Sequence, residues 1–304
     1  MIAIIGIVVV FGAVVGGFLL EHGNIHVLMQ PAELLIIGGA ASGTVLTANP
    51  IHVLKKILGG MTGVLKGSAF NKQHYLNSLK MMYEVFQKAR KDGMVALEGD
   101  IEEPLKSALF KKYPAFLKDM GAVGFVCDTM RVALTGGVEA FDVDQMMELD
   151  MEVQRHELET PVNALSTMAD SLPGLGIVAA VLGVVIAMGS LGGDQSEIGQ
   201  KVAAALVGTF LGVLLCYGLV GPVSQNMAKT IEEHHAHYGV LRVMIIAFIK
   251  GTSPIMAIEI GRRAIPGHVR PSFAEVEKAC RGTHASSVAA AATAGAEAGG
   301  AAAT

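Results

Sequence analysis

The side chains of this sequence that could handle an ion are few, and most lie inside long apolar runs. Ser42, Thr44, Thr47, Ser190 and Thr209 are the deepest polar groups. A hydroxyl oxygen at membrane depth can coordinate a cation or orient a proton carrier. The ordinary role of such a hydroxyl is a bond to a carbonyl of its own helix. No Asp, Glu, Lys, Arg or His falls within Leu172 to Leu191 or Val202 to Val223, and the chain is read as supplying no ionisable group at that depth. A bare apolar pore is a barrier, so a cation moving here needs a carboxylate from another chain. Pro173 opens the third run and Pro222 closes the fourth, so both are read at cytoplasmic ends and antiparallel packing predicts similar depth for them. Gly174 and Gly221 would ease a bend at each. Taken singly, Pro173 reads as a first-turn proline after Asp170-Ser171, and Pro222 as a tolerated kink.

Outside the apolar runs, Lys88, Arg90 and Lys91 face Glu98, Asp100, Glu102 and Glu103 across Gly93. Such a pair of patches is a solvated face or a docking surface that orients a partner of matching polarity. The run His234-His235-Ala236-His237 follows Glu232-Glu233 on a helical stretch and reads as wet surface rather than a metal site. Cys127, Cys216 and Cys280 are too far apart for a zinc site or a disulfide framework. No phosphate-binding Gly loop, Gly-x-Ser-x-Gly elbow or His-Glu-x-x-His helix is present, which argues against an enzyme. A formal net charge of -4 without a dominant basic face argues against nucleic acid as a partner.

The elements that must position these groups are helices. With 304 residues, 52% of them hydrophobic and 16% charged, the chain is too apolar for an ordinary soluble domain and too charged to be all membrane. About 20 apolar residues suffice to cross a bilayer. Four stretches qualify: Ile2 to Leu20, Ala32 to about Asn49, Leu172 to Leu191 and Val202 to Val223. The first lacks a basic leader and exceeds a signal-peptide core, so it reads as a span. Lys55, Lys56, Lys66 and Lys72 follow span two, and Lys229 and Arg242 follow span four, which predicts both termini in the cytoplasm.

Between spans two and three, Leu76, Leu79, Met82, Tyr83 and Phe86 recur at helical spacing over Gln73 to Lys91, stopped by Asp92-Gly93. A further helix is predicted over Ala122 to Leu134, ending at Gly136-Gly137. Asp142 with Gln145 reads as a capping box opening a long acidic helix through Met146, Leu149 and Val153. Beyond Pro222 the helix should continue with Ile231, Leu241, Ile245 and Phe248, and a Ser272/Glu275 box should open a short helix over Pro271 to Cys280. Ser286 to Thr304 is almost all Ala, Gly, Ser and Thr and is expected to be disordered. The fold class is therefore all-α. The expected layout is spans one and two in 1–50, a cytoplasmic helical region in 51–169 and the span three to four hairpin in 170–224. C-terminal helices in 225–283 and an Ala/Gly tail in 284–304 complete it.

Three segments carry a resemblance. They are Ala205 to Pro222 with Gly208-Thr209 and Gly212, then Asp170-Ser171-Leu172-Pro173 with Gly176 to Val181, and Arg262 with Arg270-Pro271-Ser272-Phe273 and Glu275. Together they resemble the flagellar stator A subunits of the MotA/TolQ/ExbB proton channel superfamily, over essentially the whole chain except the tail. The resemblance implies a bacterial inner-membrane protein of which five copies surround a dimer of a single-span, peptidoglycan-anchored MotB-like subunit. That partner brings the ion-binding aspartate missing here. It further implies that Ala180 and Thr209 line the ion path, that Pro173 and Pro222 are conformational elements, and that Arg90 and Glu98 engage the rotor protein FliG. No cofactor is expected. The coupling ion is read as the proton, with sodium the alternative used elsewhere in the family, because Thr209 alone offers no oxygen-rich cage. An ExbB/TolQ-like energiser of an outer-membrane system is the competing reading, although those relatives usually have three spans and an external N-terminus. A passive membrane scaffold is a third.

Overall fold

The computed structural model describes residues 2–189 and 195–280. Ser190, Leu191 and the Ala/Gly tail lie outside the described residues. Helices account for all the regular structure among them. Four are long and apolar enough to cross a membrane. The chain forms two compact units, Met1–Ser68 with Arg155–Glu232, and Ala69–Gln154 with Glu233–Thr304. Two of the three divisions fall inside long helices, Ala140–Met188 and Gly221–Ile249, and the third lies between the helices Ile51–Lys66 and Lys72–Asp92. This partition differs from the expected layout, because 51–68 and 155–169 pack with the spans rather than with the charged region between spans two and three.

The first unit contains span one (Ile2–Leu20), span two (Pro31–Ala48), the amphipathic helix Ile51–Lys66, span three in the helix Ala140–Met188, and span four in the helix Gln195–Leu215 with the turn Cys216–Val220 that follows it. Span one buries none of its residues fully, as expected of a helix whose medium is lipid. The Ile51–Lys66 helix turns Val53, Ile57 and Val64 onto Val162, Leu165, Val223, Met227 and Ile231. Lys56 Nζ reaches Glu157 Oε2 at 3.3 Å on its exposed side. The Thr44 and Thr47 hydroxyls donate to the carbonyls of Ala41 and Gly43, the self-satisfying role expected of them.

The second unit is built round the helix Lys72–Asp92. Asn71 caps its start by accepting from the His74 amide, and Gly93 ends it at φ 88, a conformation that favours glycine. Leu79, Met82 and Phe86 are fully buried against Phe125, Val126 and Met130, and against Leu241, Met244 and Ile245. Phe86 stacks on Phe248 with centroids 4.3 Å apart. Burying each such side chain is worth about 1.5–3 kcal/mol. Arg242 ties two helices of this unit together by donating to Asp144 at 2.6 Å and Glu148 at 3.3 Å.

Two boundary expectations change. The long acidic helix begins at Ala140, so Asp142 lies in its first turn, where a carboxylate complements the helix dipole, and is not its cap. The Ser272/Glu275 box is present: Ser272 N and Oγ both donate to Glu275 Oε2, at 2.7 and 2.8 Å, and Glu275 N donates to Ser272 Oγ. Its helix runs over 273–280. Lys72 also bonds Glu275 at 2.7 Å and, with the Ser272 bonds, holds this carboxyl down at about 2.

Candidate ion pathway of spans three and four

Spans three and four pack along a seam of small residues. A side-chain carbon at Gly212 would sit 2.6 Å from the Leu172 carbonyl oxygen and 2.9 Å from Gly176 Cα. One at Gly176 would meet the Gly208 oxygen at 2.8 Å and Thr209 Cα at 3.3 Å. One at Gly208 would meet Ala179 Cβ and Ala180 N, each at 3.2 Å, and one at Gly183 would meet Ala205 Cα at 2.9 Å. The two backbones approach this closely because glycine stands at every crossing, as favoured where lipid offers no hydrophobic drive to pack helices. The seam brings Ala180 and Thr209, picked out separately, to one level on facing helices. Both are half-buried, and the Thr209 hydroxyl has no partner among the described residues. Beside the seam, span three leaves Ile177, Val178, Val181, Val184, Val185 and Ile186 exposed.

The same register overturns the expectation that Pro173 and Pro222 share a depth. Pro173 lies level with Gly212 and Val213. Pro222 is roughly nine residues further on, or about 13 Å along the helix axis. Lower down, the Ser224 hydroxyl donates to the Val162 carbonyl at 3.1 Å. The proline closest in level to Pro222 is therefore Pro161, a buried residue that sequence reading passed over. Pro173 is also no first-turn proline. It stands inside the unbroken helix Ala140–Met188, where it leaves the Ala169 carbonyl without its usual donor.

At Pro222 the chain does not simply kink. The five residues Cys216–Val220 form a π-helical turn, closed by Gly221 N–H donating to the Cys216 carbonyl. A proline ring clashes with the carbonyl four residues back and has no N–H to offer it. The wider turn makes room for the ring and shifts the bonding pattern by one residue. Gly221 permits it, because a side chain there would sit 2.8 Å from the Cys216 oxygen.

One reading of the membrane interior needs correction. Glu33, third residue of span two, is 7% exposed, and its Oε2 has no hydrogen-bond partner. That oxygen lies 2.8 Å from where a Gly208 side chain would begin. An ionisable group thus stands at the seam. The signal was already present, since Glu33 falls inside the stretch from Ala32 read as span two.

In the second unit, Arg90 and Glu98 are exposed, and among the described residues neither is ion-paired. Arg90 lies in the last turn of its helix and Glu98 opens the five-residue helix Glu98–Glu102. Ala89 and Leu97 are buried beside them and fix the backbone between. Their neighbours are tied up: Lys88 donates to Asp100 at 2.6 Å, and Ser107 donates to the other Asp100 oxygen.

The histidine run is not wet surface. His237 is 2% exposed, its Nε2 lying 3.3 Å from His74 Nε2 and 3.0 Å from Ser78 Oγ, while Nδ1 has no partner. Phe70 packs on His74, His234 and His237, and His234 stacks on Tyr238 at 4.5 Å. Asp119 approaches His234 at 3.8 Å. Burial, then the neighbouring His74 and His234, pushes His237 down to about 3, and burial also lowers His74 and His234. Among the described residues no cluster could hold a metal ion.

The chain is similar to known proteins over most of its length. Residues 4–93 match the motility protein A N-terminal model, and residues 118–239 match the MotA/TolQ/ExbB proton channel family. Motility protein A of Escherichia coli is 37% identical over 281 residues, covering 92% of this chain and 95% of the relative. The Salmonella typhimurium motility protein A is 36% identical over the same shares of the two chains. Among solved structures, a chain of C. jejuni MotAB superposes with a TM-score of 0.73 at 20% identity, covering 89% of this chain and 98% of that one. The flagellar MotAB stator complex of Bacillus subtilis gives a TM-score of 0.67 at 24% identity, covering 84% and 92%. These structures share the fold. With a relative this similar along nearly its whole length, a four-span helical plan and a glycine seam in the matched region, the chain belongs to the motility protein A family.

Proposed function

We propose that this A subunit, assembled as a pentamer round a dimer of a single-span MotB-like subunit, conducts protons across the bacterial inner membrane and turns the flow into torque on the rotor. Both termini face the cytoplasm, and the partner is anchored to peptidoglycan and brings the ion-binding aspartate. The observation that carries the reading is the seam that sets Ala180 beside Gly208-Thr209, next to an apolar face of span three left open for another helix. Protonation of the partner aspartate removes a charge that is expensive to move past an apolar ring, so the ring of A subunits can step. The relatives named motility protein A favour this over the outer-membrane energiser. Deleting the gene should leave cells with normal filaments that never rotate, and the restored gene should rescue rotation. Cells that swim normally without it, and without a second stator set, would return the energiser reading.

Pro173 and Pro222 act as conformational elements, at two levels rather than one. An interior proline costs a helix about 3 kcal/mol, so Pro173→Ala stiffens span three without disturbing its packing. Swimming speed should fall severalfold while the complex still co-purifies with its B subunit; unaltered swimming counts against the hinge.

Arg90 and Glu98 present opposite charges for contact with FliG. Reversing Arg90 to Glu breaks no ion pair among the described residues and should change stability by less than about 0.5 kcal/mol. Motility on soft agar should nevertheless collapse at unchanged protein levels. Fully normal spreading would make Arg90 a solvated residue with no part in rotor contact.

A further inference from the structure

The pathway through Ala180 and Thr209 leaves Glu33 without a task, although its position is unusual. A carboxyl in the first turn of span two turns inward, is nine-tenths buried, and aims its unpartnered Oε2 into the notch that Gly208 leaves open. A buried polar atom without a partner costs on the order of 1–3 kcal/mol, which an apolar side chain of similar size would avoid. Three helices meet at that notch. Span two supplies the acid, span four supplies Gly208 and, as the next residue, Thr209, and span three supplies Ala179 and Ala180. The carboxyl therefore reaches the level at which the ion path is expected to run.

We infer that Glu33 is a proton-holding group of the A subunit, taking protons from the outer side of the membrane and delivering them to the level of Thr209. The inference rests on the stator reading above. The step is a simple transfer. An O–H bond of a hydronium ion breaks and one forms at Glu33 Oε2; that bond then breaks as the proton passes to the next acceptor, and the carboxylate is restored. One proton enters and one leaves, with no change of oxidation state. The notch favours a proton over a metal cation. The atoms round the Gly208 position are a methyl carbon, a backbone nitrogen and a single carboxylate oxygen, whereas a sodium ion needs several oxygens at once. Gly208 also has a defined part: any side chain there would displace the acid from the seam.

The test uses the complete A–B complex in lipid vesicles, with proton uptake followed by an internal pH dye in sodium-free buffer under an imposed potential. Glu33→Gln keeps the shape and removes the acid; Glu33→Asp keeps the acid one methylene shorter. E33Q should conduct about tenfold more slowly at equal complex yield, with E33D in between. The dependence of flux on external pH should be altered in E33Q, which a merely structural role would leave unmoved. Wild-type flux with an unchanged pH profile in E33Q overturns the proposal. So does loss of assembled complex in E33Q, which marks the carboxyl as a packing group. A wild-type complex that conducts no protons sinks the stator reading and the proposal together, whereas normal wild-type flux with an unaffected E33Q sinks the proposal alone.

Discussion

Replacing Gly212 with Val should abolish motility and separate spans three and four. The first added carbon would sit 2.6 Å from the Leu172 carbonyl oxygen and 2.9 Å from Gly176 Cα. Both are backbone atoms in helices, so neither can rotate aside as a flexible side chain would. Overpacking a formed interface costs about 1–3 kcal/mol even when side chains yield, and here the helix axes themselves must move apart. Contact between membrane helices depends on close packing, so the displacement forfeits attraction along the whole seam. Gly208, Gly176 and Gly183 would lose their neighbours together, and Ala180 would leave Thr209. The measurement is co-purification with the B subunit, followed by soft-agar spreading. Gly174 supplies the control. A side chain there meets nothing within 4 Å, so Gly174→Ala should co-purify with the B subunit normally. A Gly212→Val protein that assembles and swims would show that the seam tolerates separation.

Mild acid should loosen the second unit through its buried histidines. His237 lies in the helix Gly221–Ile249 beyond the charge-free stretch of span four, among Lys229, Glu233 and Arg242, and so outside the hydrocarbon. Its neighbours across the cluster are His74 and Ser78 from one helix, Asp119 from the N-cap of the helix Met120–Thr135, and His234 and Tyr238 from its own helix. With its folded value pushed to about 3, the native state binds fewer protons than the unfolded chain between that pH and about 6.5. Stability therefore rises with pH through this window. It is complete above the unfolded value and declines as pH falls toward 3. For His237 alone the loss amounts to about 2 kcal/mol at pH 5. His74 and His234 are shifted the same way and steepen the slope, opposed in part by Asp119. Hydrogen exchange in Lys72–Asp92, measured on the full chain at pH 7.5 and, after correction for intrinsic rates, near pH 5, should show protection falling by on the order of 10-fold or more. His237→Phe should flatten the dependence, because its ring can keep the contacts with Phe70 and Tyr238 without a site to protonate. Equal protection at both pH values in the wild type would mean that the cluster opens to water at little cost.

Much of the architecture was legible because it follows from local rules. A run of about 20 apolar residues has few structural options in a membrane other than a helix, so all four spans were placed from composition. Lys72–Asp92 and its glycine stop were readable from heptad-like spacing and from Gly93, and the Ser272/Glu275 box from two residues three apart. These features depend on neighbours within one or two turns. The long acidic helix was misplaced at its start only because Asp142 suits a first turn as well as a cap.

What sequence alone determined was thus the number of spans, the helical class and, through the segments about Gly208-Thr209 and Pro173, the family. What only the tertiary structure decided was which residues meet. The depth of Pro222 relative to Pro173 depends on the register of two helices, and that register is set by where backbones can approach, at Gly176, Gly183, Gly208 and Gly212 together. The inward turn of Glu33 depends on a notch supplied by a residue far along the chain. The burial of His237 depends on His74, Ser78 and Phe70 closing over a helix whose sequence reads as polar. Periodicity reports which face of a helix is apolar, but contact between helices is a sum over both partners' shapes, and no single segment contains that sum.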